Sequence, residues 1–195
     1  HFANLIRTDM LDKYDRLGFE YVIAPADYSA SNIRTFTEYA ASRRPLGGLL
    51  TSWEKSSCFM YKWLPSIAYG GRLWSNDRDR DEKEIFTETM SALFGSSDPL
   101  LLHAIRTHTE RYLNKDNNIV SVRLRTISAF GNDYAHFAET ELINAVIAAA
   151  GDKITTGLGK QIQRDILLSG ELELLTWQLR RYVHELPLPD RRIAA

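Results

Sequence analysis

Two short apolar runs, one helix length apart, constrain this chain more than any other feature. The first, Glu20-Tyr21-Val22-Ile23-Ala24-Pro25, ends at a proline; the second is Gly47-Gly48-Leu49-Leu50-Thr51-Ser52-Trp53. The first reads as a buried strand, and the second is a strand candidate. Residues 4 to 17 precede the first run with Leu5, Met10, Leu11, Tyr14 and Leu17 at roughly helical spacing, and Gly18 stands at the expected stop. Between the runs, Ser31-Asn32 can cap a helix carrying Ile33, Phe36, Thr37 and Ala40, with Arg43-Arg44 at its C-terminal end and Pro45 after it. Tyr61 to Leu73 is again helical in period, with Trp63, Ile67 and Trp74 near one face; Pro65 and Gly70-Gly71 are expected to kink or divide it. Strands that alternate with helices at this spacing run parallel. Two parallel strands cannot close a barrel, which takes about 250 residues, so partner strands are expected upstream. The start, His1-Phe2-Ala3-Asn4, carries neither an initiator methionine nor a signal-peptide pattern, and the chain is expected to begin inside a longer protein.

The mixed-sign run Ser75 to Glu84 reads as solvated and as the best boundary in the chain, dividing residues 1–76 from residues 77–195. Beyond it the pattern is helical throughout. Ile85, Phe86, Met90, Leu93 and Phe94 form a stripe ended by Gly95, and Asp98-Pro99 supplies an N-cap with proline at the first helical position. Leu101, Ile105, His108 and Tyr112 make the next stripe. Ile127, Phe130, Tyr134 and Phe137 lead into Ile143, Val146 and Ile147 before Gly151. Leu158, Ile162 and Ile166 continue through Leu172, Leu175, Leu179 and Val183 to Pro187. Four or five helices are expected here. No repeat period suggests a solenoid.

Composition removes several classes of function. With 24 Lys and Arg against 25 Asp and Glu, a net charge of −1 and 44% hydrophobic residues, the chain is neither disordered nor a strongly basic nucleic-acid binder. Its most apolar stretch, Ile143 to Ala150, is far short of the roughly 20 residues a bilayer needs. The single cysteine, Cys58, cannot form an internal disulfide and has no metal-ligand neighbours. Asp77, Asp79, Asp81 and Glu88 match positions of a calcium loop, but Glu82 replaces the glycine of the sharp turn. The run is read as a solvated face. Gly157-Leu158-Gly159-Lys160 lacks a preceding strand and a following Ser or Thr, and reads as a joint or helix kink rather than a phosphate loop. Scattered histidines, His108 and His136 among them, read as core or boundary residues. No cofactor is expected.

Chemistry in parallel α/β folds projects from the carboxyl ends of the strands. Those ends carry Asp27-Tyr28 and Trp53-Glu54. An indole stacks on the apolar face of a pyranose, while carboxylate and phenol bond to hydroxyl or amide groups. A capping acid and two core aromatics would explain the same residues equally well.

Gly47-Gly48-Leu49-Leu50-Thr51-Ser52-Trp53-Glu54, followed by Leu64-Pro65-Ser66-Ile67-Ala68-Tyr69-Gly70-Gly71-Arg72-Leu73-Trp74-Ser75, resembles the last βα unit of the family 20 glycoside hydrolases, the β-N-acetylhexosaminidases. The resemblance covers about residues 19 to 76. It implies the last two βα units of a (β/α)8 TIM barrel followed by an all-α C-terminal region. It also implies that Trp53 walls a sugar pocket, that Glu54 binds sugar hydroxyls, and that Tyr28 hydrogen-bonds the acetamido oxygen of a substrate that itself supplies the nucleophile. Asp27 precedes the tyrosine, where the family usually has its polar partner after it, and is taken into the same substrate-binding group. Gly71 stands where relatives often have glutamate. The implied catalytic Asp-Glu pair lies on a strand outside this chain, so the segment alone is expected to be inactive. Its implied partners are an N-acetylhexosamine-containing glycan and the remainder of the barrel. The helical tail can pack on the barrel or mediate homo-oligomerisation. The contrasting expectation is a non-catalytic helical interaction or scaffold module.

Overall fold

A computed structural model describes residues 8–25, 30–43, 45–51, 60–75, 80–111 and 134–185. The chain is mostly helical, with a two-stranded parallel sheet. In order it forms α1 (Thr8–Leu17), β1 (Val22–Ile23), α2 (Ala30–Ala41), β2 (Gly47–Gly48), a 3-10 turn (Met60–Trp63), α3 (Leu64–Trp74), α4 (Glu82–Phe94), α5 (Pro99–Arg111), α6 (Tyr134–Ala149), a 3-10 turn (Gly151–Lys153) and α7 (Gly157–Glu185). Both strands form and run parallel, but each is only two residues long and neither is wholly buried: Val22 faces Gly47 and Ile23 faces Gly48, with Val22 exposed. Backbone hydrogen bonds extend the contact. Leu46 N donates to Tyr21 O at 2.8 Å, Leu49 N to Ile23 O at 2.8 Å and Thr51 N to Pro25 O at 3.1 Å.

Helix ends follow local chemistry where the sequence marks them. Asp98 Oδ1 accepts from Leu101 N at 2.9 Å, capping α5 with Pro99 at its first position. Gly95 ends α4 in the left-handed conformation at φ 62°, and a side chain there would strike Thr155 Oγ1. Arg43 lies just past α2, and its Nη1 donates to Tyr39 O at 2.7 Å, satisfying a terminal carbonyl. Its other nitrogens reach Asp12 and Asp15 on α1, tying that helix to the end of α2.

Three expectations need correction. Helix α2 begins at Ala30, so Ser31 and Asn32 fall within its first turn rather than before it. The stretch from Tyr61 to Leu73 is divided only beside Pro65, where the 3-10 turn Met60–Trp63 gives way to α3 and the missing N–H has no partner to lose; Gly70 and Gly71 do not break it but lie within a continuous helix. Gly70 is small for a packing reason, since a Cβ there would lie 2.9 Å from Leu50 Cδ1 and 3.3 Å from Ile33. Gly157 to Lys160 form neither joint nor kink but the first turn of α7, with Thr156 Oγ1 accepting from Gly159 N at 2.9 Å.

One hydrophobic core joins the sheet-side helices to the tail. Ile33 of α2 and Tyr69 of α3 belong to the same buried cluster as Phe86 and Phe94 of α4, Ile105 of α5 and Ile147 of α6. Among the described residues the tail contains four helices, with Ile162 and Ile166 bringing α7 into that core. His108 is buried on α5. No described helix is long and apolar enough to cross a membrane.

The other side of the sheet is bare. Ile23 is buried, whereas Val22 is 50% exposed and Leu49 58% exposed. Leu17, Phe19 and Leu46 are exposed as well. Parallel sheets ordinarily bury both faces, whereas among the described residues this flank is apolar and exposed.

Candidate functional site

Asp27, Tyr28, Trp53 and Glu54, the four residues singled out from the sequence, lie outside the described residues, as does Cys58. What the fold fixes is the pair of strand ends that lead to them. Because β1 and β2 are adjacent and parallel, their carboxyl ends emerge side by side. Thr51 bonds Pro25 O through its backbone N–H, with its hydroxyl 3.4 Å from the same oxygen. Asp27 and Tyr28 follow Pro25 by two and three positions in the sequence, and Trp53 and Glu54 follow Thr51 by the same intervals.

The two halves of the Gly-Gly and Arg-Leu-Trp-Ser pattern meet in space. Trp74, near the end of α3, lays its indole over Gly48 of β2 so closely that a Cβ on Gly48 would stand 2.6 Å from Cε3 and Cζ3. Nε1 of the same indole donates to Thr37 Oγ1 at 2.6 Å, and that hydroxyl donates to Ile33 O at 2.8 Å. A single side chain therefore clamps α3 to both β2 and α2. Leu73 beside it is buried, and Ser75 closes the helix by donating to Arg72 O at 2.7 Å. At Gly71 there is open space, so packing does not require a glycine there.

Beyond the strand end, the chain re-enters described structure at the turn Met60–Trp63, which α7 holds from behind. The buried Asp165 accepts from Tyr61 N at 2.9 Å and from Gln161 Nε2 at 3.1 Å. Lys62 is buried with its ammonium 4.6 Å from the centre of the Trp63 ring. The helical tail thus braces the segment that follows Trp53-Glu54 in the sequence.

A polar cluster joining four helices was hidden in the charge run. Glu82, the first residue of α4, accepts from Arg106 Nη2 at 3.0 Å, from Tyr69 Oη at 3.0 Å and from Arg34 Nη1 at 3.1 Å. Arg34 also approaches Glu110 at 3.7 Å. Four helices meet on one half-buried carboxylate, so Glu82 leaves the solvated face that its exposed neighbours Arg80, Asp81, Lys83 and Glu84 form. Burial opposes the Glu82 charge, but the bond and charge of Arg106, with help from Tyr69 and Arg34, hold its carboxyl below the usual range. Burial, then the Glu82 charge, push the Tyr69 hydroxyl well above its ordinary value. Asp81 caps α4 by accepting from Lys83 N at 2.6 Å, and Glu88 is paired with Arg80. Asp77 and Asp79 lie outside the described residues. Among those described, no group of His, Cys, Asp or Glu could hold a metal ion.

A group whose folded pKa is depressed stabilises fully above its unfolded pKa and loses that contribution as pH falls through the folded value. Glu82→Gln is therefore expected to reduce stability at neutral pH by about 1–3 kcal/mol and to flatten its decline in acid. Urea unfolding across an acidic pH series checks this; an unaltered decline would exclude Glu82 as its source.

A cleft of about 260 Å³ lies between α2 and α3, bordered by Gly48, Thr37, Trp74, Arg34 and Glu82. It opens beside the C-terminal ends of both helices, hence toward the amino ends of the strands. In barrels that end serves stability, while the opposite end carries chemistry. Compared with protein-family models, curated proteins and solved structures, the chain matches none.

Proposed function

We propose that this chain is the C-terminal part of the catalytic barrel, with a helical extension, of a retaining glycosidase that removes terminal N-acetylhexosamine residues. The observation that supports it best is the Gly48–Trp74 contact. It gives the two separated halves of the hexosaminidase-like pattern a common packing reason, in a unit whose strand ends lead directly to Tyr28 and to Trp53-Glu54. The bare sheet flank at Val22 and Leu49 agrees with it, because the missing six strands and their interior side chains would cover that surface.

In this reading the substrate's acetamido oxygen attacks the anomeric carbon while an acid outside this chain protonates the departing glycosidic oxygen. A cyclic oxazolinium-type intermediate results, and water then opens it with the same carboxyl acting as base. Tyr28 donates to the acetamido oxygen, holding it in line with the anomeric carbon for attack. Trp53 stacks on the sugar, and Glu54 and Asp27 accept from its hydroxyl or amide groups. The substrate is an N-acetylhexosaminide, with no cofactor.

The exposed second half of α7 favours a contrasting reading, in which the helical region serves as an interaction module and the α/β part as its support. Hydrolysis of a chromogenic N-acetyl-β-glucosaminide by the longer protein that carries this segment separates the two, with the 195-residue chain as control. Activity confined to the longer protein supports the barrel. A folded longer protein inactive on both N-acetylglucosaminides and N-acetylgalactosaminides supports the module.

A further inference from the structure

Helix α2 lends Arg34, Thr37, Glu38 and Ala41, at the three- and four-residue spacing of one helix face, to the wall of the cleft of about 260 Å³ that it forms with α3. Ile23, Ala40, Pro45, Leu73 and Trp74 make the rest of that wall chiefly apolar. Small residues leave the room, with Ala40 and Ala41 on the helix and Gly48 close against the Trp74 indole. The volume lies just under that of pockets for drug-sized molecules and suits a single ring or a short alkyl chain.

The charges around the cleft select the sign of an occupant. Arg34 turns its guanidinium to Glu82 at 3.1 Å and approaches Glu110 at 3.7 Å, and Glu82 also accepts from Arg106 at 3.0 Å. Two arginines and two glutamates therefore balance at this end. Arg80 is balanced in turn by Glu88, which accepts from its Nη1 at 3.0 Å. Glu38 differs from all of these. It also lines the cleft, it is exposed, and among the described residues no hydrogen bond or ion pair engages its carboxylate. The surplus charge on the wall is thus one negative, beside apolar surface that includes an indole. A carboxylate in that position attracts a cation and repels an anion, and the indole adds to the attraction.

We propose that this cleft binds a small amphipathic cation, an ammonium group on an aryl or short alkyl body, with the body against Leu73 and Trp74 and the charge at Glu38. The site lies toward the amino ends of the strands, away from the ends that lead to the sugar residues, and it stands whether or not the barrel is a glycosidase. Calorimetric titration of the 195-residue chain with 2-phenylethylammonium at low salt is expected to show saturable single-site binding with a Kd below about 1 mM. The neutral 2-phenylethanol and the anionic 3-phenylpropanoate should bind at least about threefold more weakly. Glu38→Gln is expected to bring the ammonium down to the affinity of the alcohol while leaving the alcohol unchanged. Ala41→Phe fills the cleft and should abolish binding of both. Positions 38 and 41 are exposed, so helical circular dichroism should not change in either variant. Salt at about 0.5 M should narrow the gap between ammonium and alcohol. A folded chain with no saturable binding up to about 10 mM, equal affinity for the three probes, or ammonium binding indifferent to Glu38→Gln or to Ala41→Phe would overturn the proposal.

Discussion

Gly48→Ala is expected to cost about 1–3 kcal/mol, and Gly48→Val more, because the first added carbon would stand only 2.6 Å from atoms of the Trp74 ring. An indole is a rigid plate, and this one is also held at its far edge by the bond to Thr37. It cannot yield without opening the contact between α2 and α3. In a chain of this size each kcal/mol shifts Tm by roughly 2–4 °C, so the variant should melt several degrees lower. Trp74→Leu in the Gly48→Ala background removes the obstructing ring and should recover part of what Gly48→Ala alone loses. Non-additivity of the two substitutions is the informative quantity, since residues in contact couple and distant ones do not. Melting of Gly48→Ala at the unsubstituted temperature, or strict additivity in the pair, would mean that the contact does not constrain position 48.

How legible the fold was depends on the range of the interaction that decides each element. Gly95 and Asp98-Pro99 announce the α4–α5 boundary because a cap is settled within four residues. The parallel pair was legible for a related reason: β-branched runs alternate with helical periods at a spacing that only a parallel crossover satisfies. Gly70 was misread because a glycine inside a helical pattern suggests a break, and only the approach of Leu50 and Ile33 shows that it is packing space. The start of α7 was misread similarly, since Gly157 and Gly159 resemble a joint until Thr156 is seen capping them.

Glu82 illustrates a different failure. It sits in a run of charges whose other members, Asp81 and Arg80, are exposed, and nothing local distinguishes it from them. Its partners lie 13, 24 and 48 residues away on three other helices. Charge runs report average solvation; a single member becomes a hub only through tertiary placement. Of the sugar-site residues, Asp27, Tyr28, Trp53 and Glu54 rest on the sequence pattern alone, and the structure adds the parallel strand ends from which they follow.

In the proposed longer protein, Tyr28→Phe is expected to lower kcat on a chromogenic N-acetylglucosaminide by about 10² with a much smaller change in KM. The asymmetry follows from where the proposed bond acts. In the ground state the acetamido oxygen is neutral and water-like donors serve it nearly as well; the phenol's bond is needed to hold that oxygen in line with the anomeric carbon for attack. Glu54→Gln should behave in the opposite manner, raising KM chiefly, because it removes an acceptor for hydroxyls whose charge does not change during the reaction. Comparing the two variants distinguishes a sugar site from a pair of packing residues. Core or capping roles would lower stability in both and leave the kinetics of the folded fraction unchanged. Equal loss of kcat and affinity for a non-hydrolysable N-acetylhexosamine analogue in Tyr28→Phe would remove the alignment role while retaining the binding one. Unchanged kinetics in both would remove the strand-end site altogether.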